Sequence, residues 1–150
     1  MMNINYYRCA LVKEREIEYT IEDPDGVVRL AKSLNLTGAA EEYLYLLCLN
    51  TKGKVMGVHE VAHGSLHMAA AHPREIFKRA LLNNAASVIV MHNHPSGDVN
   101  PSHDDLEITR RLVECGALLS VPIVDHVIIS ESGSYSIRAN DRELFIDSVS

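Results

Sequence analysis

"SVIVMHNHPSGDVNPSHDD", Ser87–Asp105, is the stretch on which the fold turns. Ser87 to His92 is a continuous apolar run of strand length, the pattern of a strand buried on both faces at the centre of a sheet. His92 and His94 stand at i and i+2 where that run ends, so their side chains point to one face and Asn93 to the other. Pro95, Ser96 and Gly97 turn the chain away. It returns through Pro101 and Ser102 into a helix whose first turn holds Asp105.

Working outward, strands and helices alternate. Upstream, Pro24 at a first helical position after Asp23 opens a helix with the apolar face Val27, Leu30, Ala31 and Leu34. "YLYLLCLN" reads as an apolar strand, and "NTKG", 50–53, as a hairpin turn leading into the stretch Lys54 to His63. Pro73 starts a second helix with Ile76, Phe77, Ala80 and Leu81 facing inward. Downstream, the helix from about His103 to Cys115 is expected to end at Gly116, a residue suited to the position after a helix. Two last strands, "IVDHVIIS" and "YSIR", flank the turn "ESGS".

At 150 residues and 47% hydrophobic, the chain reads as one globular domain over 1–150 with a sound core. No apolar run approaches the roughly 20 residues of a membrane helix, so no membrane association is expected. The N-terminus "MMNINYYRCALVKERE" has no signal-peptide pattern. The three cysteines, Cys9, Cys48 and Cys115, are widely spaced and never in C-x-x-C. Reduced thiols in a cytoplasmic protein are expected, without a cysteine-based zinc cluster. A net charge of −6 without any basic block leans against nucleic-acid binding, though a local patch is compatible with it.

Two segments compete as a metal site. "HEVAHGSLH", His59–His67, contains the H-E-x-x-H pattern of zinc proteases. That pattern binds zinc on a helix, where i and i+4 share a face about one turn apart. The surrounding "KVMGVHEVAHG" follows a turn, carries Gly57 and three valines, and reads as a strand. On a strand, at about 3.3 Å per residue, His59 and His63 would be roughly 13 Å apart, too far for one ion. His92, His94 and Asp105 pass the same test. Two imidazoles and a carboxylate form the three-ligand set of a catalytic zinc with a fourth position open. Ser102 and Asp105 also read as a helix capping box.

"HNHPSGDVNPSHDD" resembles the H-x-H-P-x6-S-x2-D signature of JAMM (JAB/MPN-type) metalloproteases, in the H-N-H-P-S-G form of their RadC-like branch. "EEYLYLLCLNTKGKV", "HPREIFKRAL" and "VDHVIIS" resemble the same branch, so the recognisable core is about 36–138. The resemblance implies a three-layer α/β/α fold with a mixed central sheet, similar to cytidine deaminases. It implies zinc, Zn²⁺, on His92, His94 and Asp105, with Glu42 from an upstream strand activating the water at the metal. Glu41 is the alternative one position away, since a one-residue slip turns a strand side chain to the other face. Ser102 matches the motif serine and would donate to the developing oxyanion.

For the remaining histidines the expectations are structural. His72 and His103 should be exposed near helix starts, and His126 buried and hydrogen-bonded. A role for Asp125 in orienting a ligand histidine is an open alternative.

The expected function is a zinc-dependent metallohydrolase cutting peptide or isopeptide amide bonds in a peptide or protein substrate. Full-length RadC-like proteins usually carry an N-terminal helix-hairpin-helix region. With the core beginning near residue 36, that module is not expected in this chain, and the family's association with DNA repair is expected to be weaker here. Two rivals stand beside the hydrolase. One is a DNA-repair- or mobile-element-associated protein acting on or near DNA. The other is a catalytically silent MPN-type interaction scaffold, against which the intact ligand set argues.

Overall fold

The computed structural model describes residues 1–17, 25–64 and 71–146. Pro24, Asp23 and His67 lie outside the described residues, so the expectation of Pro24 as a helix opener is not addressed.

Helix α1, Gly26–Ser33, follows Asp25 and buries Leu30 and Ala31. Strand β1, Glu42–Leu49, and strand β2, Val55–Gly64, form an antiparallel hairpin. The turn between them forms where the sequence placed it. Asn50 Oδ1 accepts from the backbone N–H groups of Lys52 and Lys54 at 2.9 and 3.0 Å, and Gly53 N donates to Asn50 O at 2.9 Å. This is the side-chain mimicry that favours Asn at turns.

Helix α2, Pro73–Leu82, has His72 as its N-cap, with the His72 Nδ1 accepting from Arg74 N. Ile76, Phe77 and Ala80 are buried, but Leu81 is 51% exposed, against the expectation that it faces inward. At 3.6 residues per turn it lies about 90° from the centre of the stripe those three define, on the flank of the helix.

Strand β3, Ser87–Asn93, is the central buried strand, pairing antiparallel with β1 and parallel with β4, Ile123–Ser130. Helix α3, His103–Leu119, is the crossover between the two parallel strands. It runs a turn past the expected stop at Gly116 and ends at Ser120, which takes the left-handed conformation at φ 60°. Gly116 serves packing instead. A Cβ there would lie 2.5 Å from the Val121 carbonyl oxygen, and Val121 N donates to Gly116 O at 2.9 Å.

Strand β5, Gly133–Ser136, pairs antiparallel with β4 and lies two residues earlier than expected. Ile137 and Arg138, read from sequence as strand, belong to a helical turn, α4, Ile137–Asn140, capped by the Ser136 hydroxyl. A 3-10 turn, Arg142–Phe145, follows.

The sheet is mixed, in the order β2-β1-β3-β4-β5. Alternation along the strands sends one set of side chains to each layer. Leu44, Leu46, Cys48, Val88 and Val90 pack with Ile76, Phe77 and Ala80 of α2 and Ile108 and Leu112 of α3. Leu47, Leu49, Ile89, Met91, Val127 and Ile129 pack with Leu30 and Ala31 of α1 on the opposite face. The result is the expected α/β/α arrangement. Among the described residues no helix is long and apolar enough to cross a membrane.

Candidate metal centre

The first candidate segment dissolves into two unrelated contacts. Residues 55–64 are a strand, as read, and a bulge adds a reason that the sequence did not disclose. Ala62 pairs with Leu44 and Glu60 with Tyr45, leaving Val61 as the extra residue. The bulge reverses the alternation. His59 is therefore opposite Leu46 and His63 opposite Tyr43, whose side chains belong to different faces of the sheet. His59 Nε2 lies 2.8 Å from Asn83 Oδ1 at the end of α2. His63 stacks on the Tyr43 ring at 5.5 Å.

The second candidate comes together. His92 leaves the end of β3 on the α3 side, His94 follows the strand, and Asp105 reaches across from the first turn of α3. Their ligating atoms all lie within 4.8 Å of one another, and the group could hold a metal ion. His92 Nε2 and His94 Nε2 are 2.9 Å apart, and Asp105 places Oδ1 3.5 Å from the former and Oδ2 3.2 Å from the latter. His92 and Asp105 are buried and His94 half-buried.

The hydrogen-bond partners of the two imidazoles decide whether the set fits a cation. His94 Nδ1 lies 2.7 Å from the Asp98 carbonyl oxygen, which can only accept. A neutral His94 must therefore carry its proton on Nδ1 and turn a lone pair on Nε2 toward Asp105. The loop is shaped for this contact. Gly97, at φ 87°, takes a conformation that favours glycine and closes a turn back to the His94 carbonyl at 3.0 Å. Ser132 Oγ, from the β4–β5 turn, donates to Gly97 O at 2.8 Å.

Nitrogen lone pairs beside a carboxylate are a donor set for zinc, and the Nδ1–H contact is the outer hydrogen bond that ligand histidines typically make. A proton competes for the same place. The hydrogen bond to Asp105 raises the His94 pKa against the effect of burial, and the charge of Glu42 adds to it. Burial pushes the Asp105 carboxyl up, yet with a proton on the facing Nε2 atoms the hydrogen bonds from His92 and His94 hold it well below the usual carboxylate range.

Ser102 and Asp105 form the capping box that the sequence suggested, and the box and the metal group share one carboxylate. Ser102 Oγ accepts from Asp105 N at 3.0 Å, while Ser102 N donates to Asp105 Oδ2 at 2.9 Å. These bonds fix the carboxylate rotamer from behind. Accepting through Oγ leaves the exposed Ser102 hydroxyl its own hydrogen to donate.

Glu42 begins β1 on the same face as Leu44, which pairs with His92, and its charge acts on His94. Glu41, one position before, is exposed. The backbone on both sides of Glu42 is held by Asn93. Tyr43 N donates to Asn93 Oδ1 at 2.6 Å, and Asn93 Nδ2 donates to Glu41 O at 2.8 Å. The residue between the two histidines thus sets the register of the glutamate.

His72 and His103 are exposed at helix starts, as expected. Among the described residues Asp125 makes no hydrogen bond to His92 or His94. It accepts from His126 N, from Ser136 Oγ at 2.6 Å and from Arg138 N at 3.0 Å, bracing α4. His126 is buried and hydrogen-bonded, but its partner is His92, with His126 Nε2 2.7 Å from His92 Nδ1. Burial pushes its pKa well below the ordinary imidazole value, and His92 adds to the effect. Sequence reading missed Asn93, Thr109 and His126 as parts of this site. Their signal was polarity at interior positions of an apolar strand or helix face.

A mixed sheet between helix layers, with two histidines and an aspartate converging at the end of its central strand, defines an α/β protein with a candidate mononuclear metal centre. The family model described as the RadC-like JAB domain matches residues 21–143, and the chain belongs to that family. A UPF0758 protein of Clostridium perfringens is 39% identical over 137 residues, covering 89% of this chain and 60% of its own length. One from Syntrophomonas wolfei is 41% identical over 128 residues, covering 85% of this chain and 54% of its own length. One from Bacillus cereus is 39% identical over 125 residues, with 83% and 55% covered. This chain therefore spans a little over half the length of these curated relatives.

Proposed function

We propose that the protein is a zinc-dependent metallohydrolase that cleaves peptide or isopeptide amide bonds, with Zn²⁺ held by His92, His94 and Asp105. The observation that carries this reading is the convergence of two imidazole Nε2 atoms and a buried carboxylate within 4.8 Å. When bound, zinc supplies Lewis acidity, bringing the pKa of water from about 15.7 toward about 7 and polarising a carbonyl.

The chain's own residues do the rest. Asp105 and the two histidines orient that centre, and the capping box keeps the carboxylate from rotating away. Glu42 acts as general base, taking the proton of the attacking water and delivering it to the leaving amine. Ser102 donates its hydroxyl hydrogen to the oxyanion that forms as the carbonyl is attacked. Its place as N-cap of α3 pre-organises that hydroxyl beside Asp105. Asn93 keeps Glu42 in register with the histidines.

The test joins metal analysis to substrate screening. Purified protein should hold about one zinc per chain and hydrolyse members of a peptide and isopeptide panel, and His92→Ala should lose both. Full zinc content in His92→Ala and His94→Ala sinks the metal assignment. Zinc retention with no amide hydrolysis, combined with nanomolar DNA binding near physiological salt, replaces the reading with a DNA-associated one. At a net charge of −6 the expected DNA affinity is no tighter than about 10⁻⁴–10⁻⁶ M.

A further inference from the structure

His126 and Thr109 are both polar residues buried almost completely, and neither is a member of the candidate ligand group. They form one chain with the two ligand-bearing elements. Thr109 Oγ1 lies 2.6 Å from the Asp105 carbonyl oxygen and 2.7 Å from His126 Nδ1. His126 Nε2 in turn lies 2.7 Å from His92 Nδ1.

The protons along this chain can be placed in order. A carbonyl oxygen can only accept, so the single hydroxyl hydrogen of Thr109 goes to Asp105 O. Thr109 Oγ1 then has only lone pairs for His126, and His126 Nδ1 must donate. A neutral His126 carries one proton, so its Nε2 is a bare acceptor. His92 Nδ1 must donate to it, which leaves the His92 Nε2 lone pair facing His94 and Asp105.

We propose that Thr109 and His126 are positioning residues that lock His92 in the tautomer able to bind metal through Nε2. The proposal rests on the metal reading of the site and deepens it. It also explains why a histidine and a threonine occupy interior positions of β4 and α3. An apolar pair would leave the His92 Nδ1–H unsatisfied and the ring free to adopt either tautomer, at a cost that burial makes large. Outer partners of ligand histidines typically contribute about 10–100-fold in metal affinity.

Two readouts on the full chain test it, neither requiring catalysis. The first is the His92 tautomer in the metal-free protein, from the ¹⁵N shifts of its ring. Wild type and Thr109→Ser, which keeps the hydroxyl, should hold the proton on Nδ1. Thr109→Val, nearly the same shape without the hydroxyl, frees His126 to reverse and should populate the Nε2–H form of His92.

The second is Zn²⁺ affinity by competition with a chelator. Thr109→Val and His126→Phe should bind about 10–100-fold more weakly than wild type, with Thr109→Ser close to wild type. A purely structural role predicts a lower melting temperature for Thr109→Val with the tautomer and zinc affinity unchanged. That result overturns the proposal, as does a wild-type His92 protonated on Nε2. Absence of zinc binding by wild type fails the metal reading instead, and the tautomer measurement still judges the relay.

Discussion

Glu42 and Glu41 are adjacent in sequence, but their surroundings differ. Glu42 starts the strand that runs beside His92, with its backbone neighbours clamped by Asn93, whereas Glu41 is exposed. Glu42→Gln keeps a hydrogen-bonding amide but removes the proposed base. It should retain zinc and lose about 10²–10⁴-fold in rate on any amide substrate cleaved by the wild type. Glu41→Gln should be nearly silent. Rates at matched zinc content check both, and a dead Glu41→Gln beside an active Glu42→Gln would move the base by one position. Another residue-scale expectation concerns the thiols. Burial pushes the Cys48 thiol up to about 12, while Cys9 is exposed. Thiolate is the reactive form, and at pH 8 a pKa of that size leaves a fraction on the order of 10⁻⁴. Raising the pH should therefore speed labelling of Cys48, yet in the folded protein Cys9 should label first by a wide margin. Peptide mapping after a brief alkylation would show comparable modification of the two if the burial were wrong.

At the scale of elements, two positions carry the shape. The Val61 bulge in β2 parts His59 from His63, so neither can take part in a shared ion site. His59→Ala and His63→Ala should leave zinc content unchanged by elemental analysis. Loss of zinc from both, with His92→Ala still loaded, would reverse the assignment of the site. The second position is Gly116, where α3 meets the chain that leads into β4. A methyl group there would sit 2.5 Å from a backbone oxygen and 3.4 Å from the Phe77 ring, so the helix would have to shift. Overpacking of this kind costs about 1–3 kcal/mol. Gly116→Ala should lower the denaturation midpoint accordingly, and an unchanged midpoint would mean that the contact yields without strain.

For the whole molecule, the candidate metal group draws its members from two layers. His92 and His94 come from the central strand and its following loop, and Asp105 from the helix packed on that strand. A ligand that binds only the folded state stabilises it by mass action, by about 2.7 kcal/mol at a free concentration 100 times its Kd. Chelation should therefore lower the melting temperature of wild type. His92→Ala should melt at one temperature with or without zinc. Equal melting of chelated and zinc-supplemented wild type would argue against a site assembled across these elements.

Much of this was written locally. The apolar run of Ser87–His92 specified a central strand because only a strand covered on both faces is apolar throughout. The i, i+2 histidines and the capping residue three before Asp105 specified the candidate ligand group, because strand pleat and helix turn are short-range geometry. The same local rules rejected a helical reading of H-E-x-x-H. They failed where a partner distant in sequence decided the outcome. Gly116 looked like a helix end, but the close approach of Val121 needs a glycine there while the helix runs on to Ser120. Tyr135–Arg138 looked like a strand, but Asp125 accepts from Ser136 and Arg138 and draws the last residues into a helical turn. The bulge at Val61 arises from pairing with β1 and has no mark of its own in β2. His126 shows the limit most clearly. By itself it is a polar residue in an apolar strand, and only the pairing of β4 with β3 and the packing of α3 on that face bring it within 2.7 Å of both His92 and Thr109. Local periodicity chooses which face a side chain takes, whereas the partner it meets there is chosen by the register of strands and helices far apart in the chain.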